Sequence, residues 1–389
     1  MDFNFSDRLE SFGEGIFLKL DGLKKEKEKQ GEKIYNLSVG TPDFKPSKEA
    51  MEAIIEAAKK EENYKYALTE LPELLEAVAK RYDVRYGAKI VTEEITSVYG
   101  SQEGITHIAL ALCNPGDIVL VPNPGYPIFG IGPALMGAEV VTYPLTKENN
   151  FLPKLSEIDE DIAKKAKFMI VSYPANPVCV TAPVSFYKEL IDFAKKYQII
   201  IVHDNAYSDI VYDGKKGISF LAIEGAKEVG VEFYSLSKSY NLTGARISFL
   251  VGNEKIVKAF KIIRSQIDYG TFLPVQYGAI AALQEDDTII EAQCLEYQKR
   301  RDALCGGFRK IGWDVENSQG SMFVWAKIPD HYNSSEKFVM DMVEKAGVIC
   351  TPGSSFGSLG EGYVRFALVL PVEEMEKVVE AVRVSGILS

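Results

Sequence analysis

Reactive side-chain types recur at one kind of place in this 389-residue chain, just beyond short β-branched runs. Lys238, with Ser235 and Ser237 beside it, ends the run Glu232–Ser235. Asp204 and Tyr207 follow Ile199–His203, Asn176 follows Phe168–Ser172, and Tyr126 follows Ile118–Val121. Arg246 stands directly before Ile247–Val251. Ligands of open α/β sheets gather outside the carboxyl ends of the strands. An amine there can condense with a carbonyl and exchange protons. A buried carboxylate can pair with a cation, and hydroxyls with an arginine can hold a phosphate. Singly, each residue has an ordinary explanation: a solvated lysine, a turn or cap aspartate, or a plain lysine–carboxylate ion pair.

Together they match the requirements of pyridoxal phosphate, which needs an amine for its aldehyde, an anion at its ring nitrogen, partners for its phenolate oxygen and a phosphate cup. Lys238 would hold it as a Schiff base and then serve as general base and acid. Asp204 would pair with the protonated ring nitrogen. Tyr207 and Asn176 would hydrogen-bond the phenolate oxygen, and Tyr126 would stack on the ring. Gly100-Ser101-Gln102 opens an amphipathic segment with apolar residues at Ile105, Ile108, Ala109 and Leu112. The N–H groups of a helix start there would bind the phosphate, and Ser101 is also a candidate cap. Ser235, Ser237 and Arg246 would complete the cup.

Such an edge needs a sheet behind it. The runs Ile95–Val98, Ile118–Val121, Phe168–Ser172, Ile199–His203, Glu232–Ser235 and Ile247–Val251 read as strands, with helical patterns such as Gly104–Cys113 and Ser185–Tyr197 between most of them. That alternation predicts an α/β fold: a mostly parallel, seven-stranded-type sheet sandwiched by helices. The connection from Ser235 to Ile247 is too short for a parallel crossover, so the strand from Ile247 is expected to be antiparallel. After Leu283 the pattern changes to longer helices (Asp287–Lys310, Ser335–Ala346) with short strands Met322–Ala326 and Tyr363–Leu368. It reads as a smaller α+β domain. The expected division is an N-terminal arm and part of the small domain over 1–45, a large domain over 46–284 and a small domain over 285–389.

The net charge of −11, with no basic tract, argues against nucleic acid as a partner. No apolar run is long enough to span a bilayer, and the start through Arg8–Glu10 lacks an apolar leader. The five scattered cysteines form no CxxC pair, which suggests free thiols in a cytoplasmic protein without a metal site. The charge-dense stretch Lys24–Lys33 reads as a solvated helix end.

Ser235-Leu-Ser-Lys238-Ser-Tyr-Asn-Leu-Thr-Gly-Ala-Arg246 resembles the cofactor-lysine signature of fold-type I, class I/II aminotransferases. Gly40-Thr-Pro-Asp-Phe44, Tyr66, Gly100-Ser-Gln-Glu-Gly104, Pro124-Gly-Tyr126-Pro127, Tyr173-Pro-Ala-Asn176-Pro177, His203-Asp-Asn-Ala-Tyr207, Thr351-Pro-Gly353 and Gly362-Tyr-Val-Arg365 agree in order. The resemblance implies a homodimer with shared active sites that acts on a small amino acid and a 2-oxo acid. It implies that Tyr66 reaches the phosphate of the neighbouring subunit, and that Arg365, helped by Asn176 and the backbone at Gly40, binds the substrate α-carboxylate. From the residues alone, an edge-strand arginine facing solvent is the favoured reading of Arg365.

Three departures stand out. The usual Asn-Pro-Thr-Gly is Asn176-Pro-Val-Cys179 here, the glycine common after the Tyr66 segment is absent from Thr69-Glu-Leu-Pro72, and Gln102 occupies a position often lysine in relatives that bind a distal carboxylate. Ile267–Gln276 and His203–Gly214 look most similar to the alanine and LL-diaminopimelate aminotransferase branch, which leaves alanine/glutamate, aspartate, aromatic and LL-diaminopimelate substrates open. A carbon–sulfur β-lyase on the same fold and a cofactor-binding regulator are the alternatives. Gly353-Ser-Ser-Phe-Gly357 has the G-x-S-x-G spacing of a hydrolase, but the last histidine, His331, precedes it. No G-x-G-x-x-G of a nicotinamide enzyme and no Walker loop occurs.

Overall fold

The computed structural model describes residues 3–11 and 16–389. Residues 1–2 and 12–15 of the expected N-terminal arm lie outside the described residues. The chain divides into a larger compact unit, Thr41–Gln298 with Gln319–Ser321, and a smaller one, Met1–Gly40 with Lys299–Ser318 and Met322–Ser389. The expected boundary at 284 thus falls inside the larger unit, which continues along the helix Thr288–Lys310 as far as Gln298.

The strands among the described residues, in chain order, are β1 (Tyr35–Asn36), β2 (Ile95–Val98), β3 (Ile118–Asn123), β4 (Glu139–Pro144), β5 (Ala166–Ser172), β6 (Ile200–Asn205), β7 (Gly230–Ser235), β8 (Ser248–Gly252), β9 (Phe323–Lys327), β10 (Val348–Ile349), β11 (Thr351–Pro352) and β12 (Tyr363–Ala367). In the larger unit β2 to β8 form one seven-stranded sheet in the order β2-β8-β7-β6-β5-β3-β4. β8 is antiparallel to both its neighbours, β2 and β7, and the remaining pairs are parallel. The mostly parallel α/β sheet with one antiparallel strand is therefore as the sequence led us to expect. β4 is the strand that the apolar runs did not reveal. It lies at the sheet edge, and Glu139, Thr142 and Pro144 are exposed, so its solvated side breaks the hydrophobic signal.

The central strands are covered on both faces, which is why they read as unbroken apolar runs. One face packs Phe168, Ile170, Val202, Val231, Phe233 and Leu250 against helices 101–112, 128–135 and 254–264. Each such fully buried side chain contributes roughly 1.5–3 kcal/mol. Strand side chains alternate between faces. Ser172, Asp204, Ser235 and Ser248 therefore continue that apolar face to its end, where it turns polar.

The smaller unit holds a parallel β1–β10 pair and the antiparallel sheet β11-β12-β9. β12 is the central strand of that sheet, so Arg365 is not on an edge; it is 2% exposed. The solvent-facing reading of Arg365 is corrected by this position.

Candidate active site

Lys238 follows β7 in a short helical turn, Leu236–Ser239. Ser235 starts that turn: its Oγ accepts the N–H of Ser237 at 3.1 Å and the hydroxyl of Ser248 at 3.0 Å. Gln293 Nε2 donates to the carbonyl of Lys238 at 2.9 Å, and Asn241 Nδ2 donates to Gln293 Oε1 at 2.9 Å. Thr243 Oγ1 donates to the Ser237 carbonyl at 2.8 Å. The backbone around the half-buried lysine is thus held from several sides.

Asp204 lies near the end of β6, buried, and its Oδ1 has no hydrogen-bond partner. Burial pushes its carboxyl up to about 6, against the opposing pull of His203, a backbone N–H at Ala206 and Lys238. Above that pH a buried carboxyl in this condition ionises at a cost in stability, which a cation facing it would relieve. Behind the same sheet, His203 pairs with Glu232 (Nδ1–Oε2 2.9 Å), and Glu232 also accepts from Tyr82 at 2.8 Å, Asn205 at 2.7 Å, Ser219 at 2.9 Å and the Phe220 N–H at 2.9 Å. Residue types alone did not single out this network. The available signal was a glutamate inside an otherwise apolar strand.

The segment after β2 forms a cup. Gly100 has φ +91°, and the helix Ser101–Leu112 begins immediately after it. Glu103 Oε2 accepts the Tyr99 N–H at 3.0 Å, which secures this helix start. The expected Ser101 cap is corrected: Ser101 is inside the first turn, and its buried Oγ has no hydrogen-bond partner. A hydroxyl and free N–H groups in this arrangement suit an anion. Arg246, at φ +55°, donates from Nη2 to the Tyr99 carbonyl and from Nη1 to the Thr243 carbonyl, each at 3.1 Å. A side chain on Gly100 would place its Cβ 2.2 Å from that guanidinium. The end of β2 is three strand positions from the end of β6, about 14 Å at ordinary sheet spacing. That leaves room for a phosphorylated pyridine between an anion cup and a carboxylate. The residues fit pyridoxal phosphate on these grounds: an orphaned carboxylate oxygen at one end, an orphaned hydroxyl at the other, and an amine just after the strand between.

Asn176 and Tyr207 are buried in the loops that follow β5 and β6. Tyr126, after β3, donates from its hydroxyl to Gln102 Oε1 at 3.1 Å. Ser101, Gln102, Tyr126, Asn176, Asp204, Tyr207, Ser235, Ser237, Lys238 and Arg246 therefore belong to one edge of one sheet. Tyr66 is in the same unit but turned outward, 75% exposed, with its ring 5.0 Å from that of Tyr269. Gly40 and Arg365 belong to the smaller unit. There Arg365 Nη2 donates to the Ser38 carbonyl at 2.9 Å, and its guanidinium lies 4.1 Å and 4.7 Å from the ring centres of Phe323 and Phe356. A Cβ on Gly40 would meet Phe323 at 2.3 Å, so the close approach of these two segments requires glycine.

Two of the departures acquire a structural account. Cys179 takes φ +60°, the left-handed conformation that a glycine adopts without strain, and its buried thiol donates to the Pro177 carbonyl at 3.0 Å. Glu70 fills the place without glycine, and its Oε1 accepts from Thr96 Oγ1 at 2.8 Å, the Ser97 N–H at 2.8 Å and Ser97 Oγ at 3.0 Å. It ties the Tyr66 segment to β2.

Among the described residues, no cluster of His, Cys, Asp and Glu could hold a metal, and no helix is long and apolar enough to cross a membrane. Residues 32–382 match the family model for aminotransferases of class I and II. The LL-diaminopimelate aminotransferase of Dehalococcoides mccartyi strain CBDB1 is 42% identical over 374 residues, 96% of each chain. That of Halothermothrix orenii is 42% identical over 384 residues, 98% of each chain. Among solved structures, substrate-bound BacF from Bacillus subtilis superposes with a TM-score of 0.95 at 35% identity, over 98% of each chain. A probable N-succinyldiaminopimelate aminotransferase from Thermus thermophilus gives 0.90 at 30% identity, over 95% of this chain and 100% of its own.

Proposed function

This chain belongs to the class I and II aminotransferases, and from that premise we propose that it moves an amino group from an L-amino acid to a 2-oxo acid by a ping-pong mechanism, with LL-diaminopimelate as its donor. It is a pyridoxal-phosphate-dependent transaminase. The donor is suggested by the names of relatives that align along nearly the whole chain. Gln102 in place of a lysine leaves that position neutral toward a distal group carrying both charges.

The cofactor, when bound, supplies an aldehyde that takes up the amino group and an electron sink for the pair left when Cα loses its proton. In our reading Lys238 would anchor it covalently, and its Nζ would be the base and acid that moves the substrate proton. The carboxylate of Asp204 stays ionised opposite the ring nitrogen. Tyr207 and Asn176 would hold the phenolate oxygen, Tyr126 would pack on the ring, and Ser101, Gln102, Ser235, Ser237 and Arg246 would hold the phosphate. Arg365, with Asn176 and Gly40, receives the substrate carboxylate. The observation that carries the reading is the buried, partnerless Oδ1 of Asp204, whose carboxyl burial pushes up to about 6. It calls for a cation, and a protonated pyridine supplies one.

We also propose a homodimer. Tyr64, Tyr66, Leu68 and Tyr269 are 65%, 75%, 73% and 57% exposed, and apolar groups concentrated in this way mark an association surface.

Single amino acids added to the purified, cofactor-loaded protein test the reaction. LL-diaminopimelate is expected to bleach the visible chromophore of the lysine-bound cofactor, and a 2-oxo acid to restore it. If alanine, glutamate, aspartate, aromatic amino acids and LL-diaminopimelate all leave the chromophore unchanged, the reading fails.

A further inference from the structure

The face of the sheet opposite Asp204 carries Tyr234, and beside it lies a completely buried carboxylate that no step above uses. Asp209 Oδ1 accepts from Arg81 Nη2 at 3.1 Å, Arg85 Nε at 3.1 Å and the Tyr86 hydroxyl at 2.9 Å. Its Oδ2 accepts from the Tyr234 hydroxyl at 3.0 Å. The Ser239 hydroxyl donates to the same carboxylate. The Asp209 carbonyl accepts from Cys294 Sγ at 3.1 Å. One residue thus joins helix 72–86, β7, the turn after Lys238 and helix 288–310. Arg81 and Arg85 both continue to Asp287, Arg85 at 2.9 Å, so two guanidinium groups face two carboxylates. Burial opposes ionisation of Asp209, but Arg81 and Arg85 outweigh it and hold the carboxyl below its usual range.

Asp209 is two residues from Tyr207, and its partner Ser239 is the residue after Lys238. We propose that Asp209 is a positioning residue: from behind the sheet it fixes the Tyr207 loop and the Lys238 turn relative to each other, and its charge balances Arg81 and Arg85 behind that turn. The inference rests on the assignment of Lys238 and Tyr207 to the cofactor. Its test separates the two, because the wild-type protein must first show the amine-dependent spectral change.

Asp209→Asn keeps the shape and removes the charge. The excess positive charge disfavours a protonated group nearby. The pH midpoint of the lysine-bound chromophore is therefore expected to fall by about half a unit or more. Turnover should fall roughly tenfold with KM changed by less than about threefold. The dissociation constant for pyridoxal phosphate, titrated into the apo protein, should rise. A merely structural role would lower the melting temperature and leave the midpoint of the folded variant at the wild-type value; that result overturns the proposal. If Asp209→Asn does not fold, Tyr234→Phe decides. It removes the hydroxyl's bonds to Asp209 at 3.0 Å and from Arg81 Nε at 3.4 Å but no charge, and should raise the cofactor dissociation constant and shift the midpoint by a smaller amount. Wild-type values for both overturn the proposal.

Discussion

Lys238 and Asp204 carry different kinds of consequence. Lys238→Ala should remove the lysine-bound chromophore and lower turnover by at least about a thousandfold. Equilibrium dialysis should still detect non-covalent binding of the cofactor, since the cup and Asp204 remain. For Asp204 the sign of the pH dependence follows from its raised carboxyl. In the apo protein the folded state holds that proton up to about 6, whereas the unfolded chain releases it near 3.8. Below the lower value both states are protonated and no penalty applies. As pH rises through the window the unfolded state gains, so apo stability falls, by an amount on the order of 2–3 kcal/mol. A cofactor that supplies a cation relieves this. Thermal melts between pH 4 and 7 should show the holo-minus-apo difference growing with pH. In Asp204→Asn that growth should vanish, and the cofactor should bind more weakly.

At the level of elements, the phosphate cup depends on a strand end, one glycine and one arginine. Gly100→Ala meets two obstacles, the φ of +91° and the Arg246 guanidinium 2.2 Å from the new Cβ. The guanidinium is the mobile end of its side chain and would swing away, so fold stability should fall by only about 1–2 kcal/mol, from the backbone. Cofactor affinity should fall more, about tenfold, because the displaced group is the proposed phosphate clamp. Calorimetric melts and cofactor titration of the same variant separate the two effects. Gly217 makes a contrasting case: a Cβ there would sit 1.5 Å from the Ser208 carbonyl, which is backbone and cannot swing aside. Gly217→Ala should therefore displace the segment after Tyr207 and destabilise the fold by more than about 3 kcal/mol.

For the whole molecule, the proposed pairing of two chains places demands on the exposed aromatic surface rather than on the net charge of −11. Sedimentation should give the mass of two chains. Leu68→Glu, at a side chain 73% exposed, is expected to leave the fold intact and shift the equilibrium toward one chain by at least about 2 kcal/mol. An unchanged mass in that variant would remove this surface from the interface.

The central strands could be read in the sequence because a buried parallel sheet needs unbroken apolar runs, and the antiparallel turn of β8 because its connection is too short to cross over. That the proposed cofactor residues share one sheet edge could be read because they follow those runs, where strand ends release polar side chains. β4 could not, since an edge strand is half solvated and has no apolar run. Arg365 could not be placed, because the same strand pattern serves an edge or a centre; pairing on both sides of β12 made it central. Ser101 matched the residue type of a cap but not the position, as the helix begins at that residue and Gly100 precedes it. Asp209 left no mark in the sequence, where it is one acidic residue among 55 Asp and Glu. Its contacts come from helix 72–86 and from β7 with the turn that holds Lys238, two stretches far apart along the chain. Only folding sets a carboxylate between two arginines and two phenols, because burial and charge pairing depend on what surrounds a residue in space rather than on its neighbours in sequence.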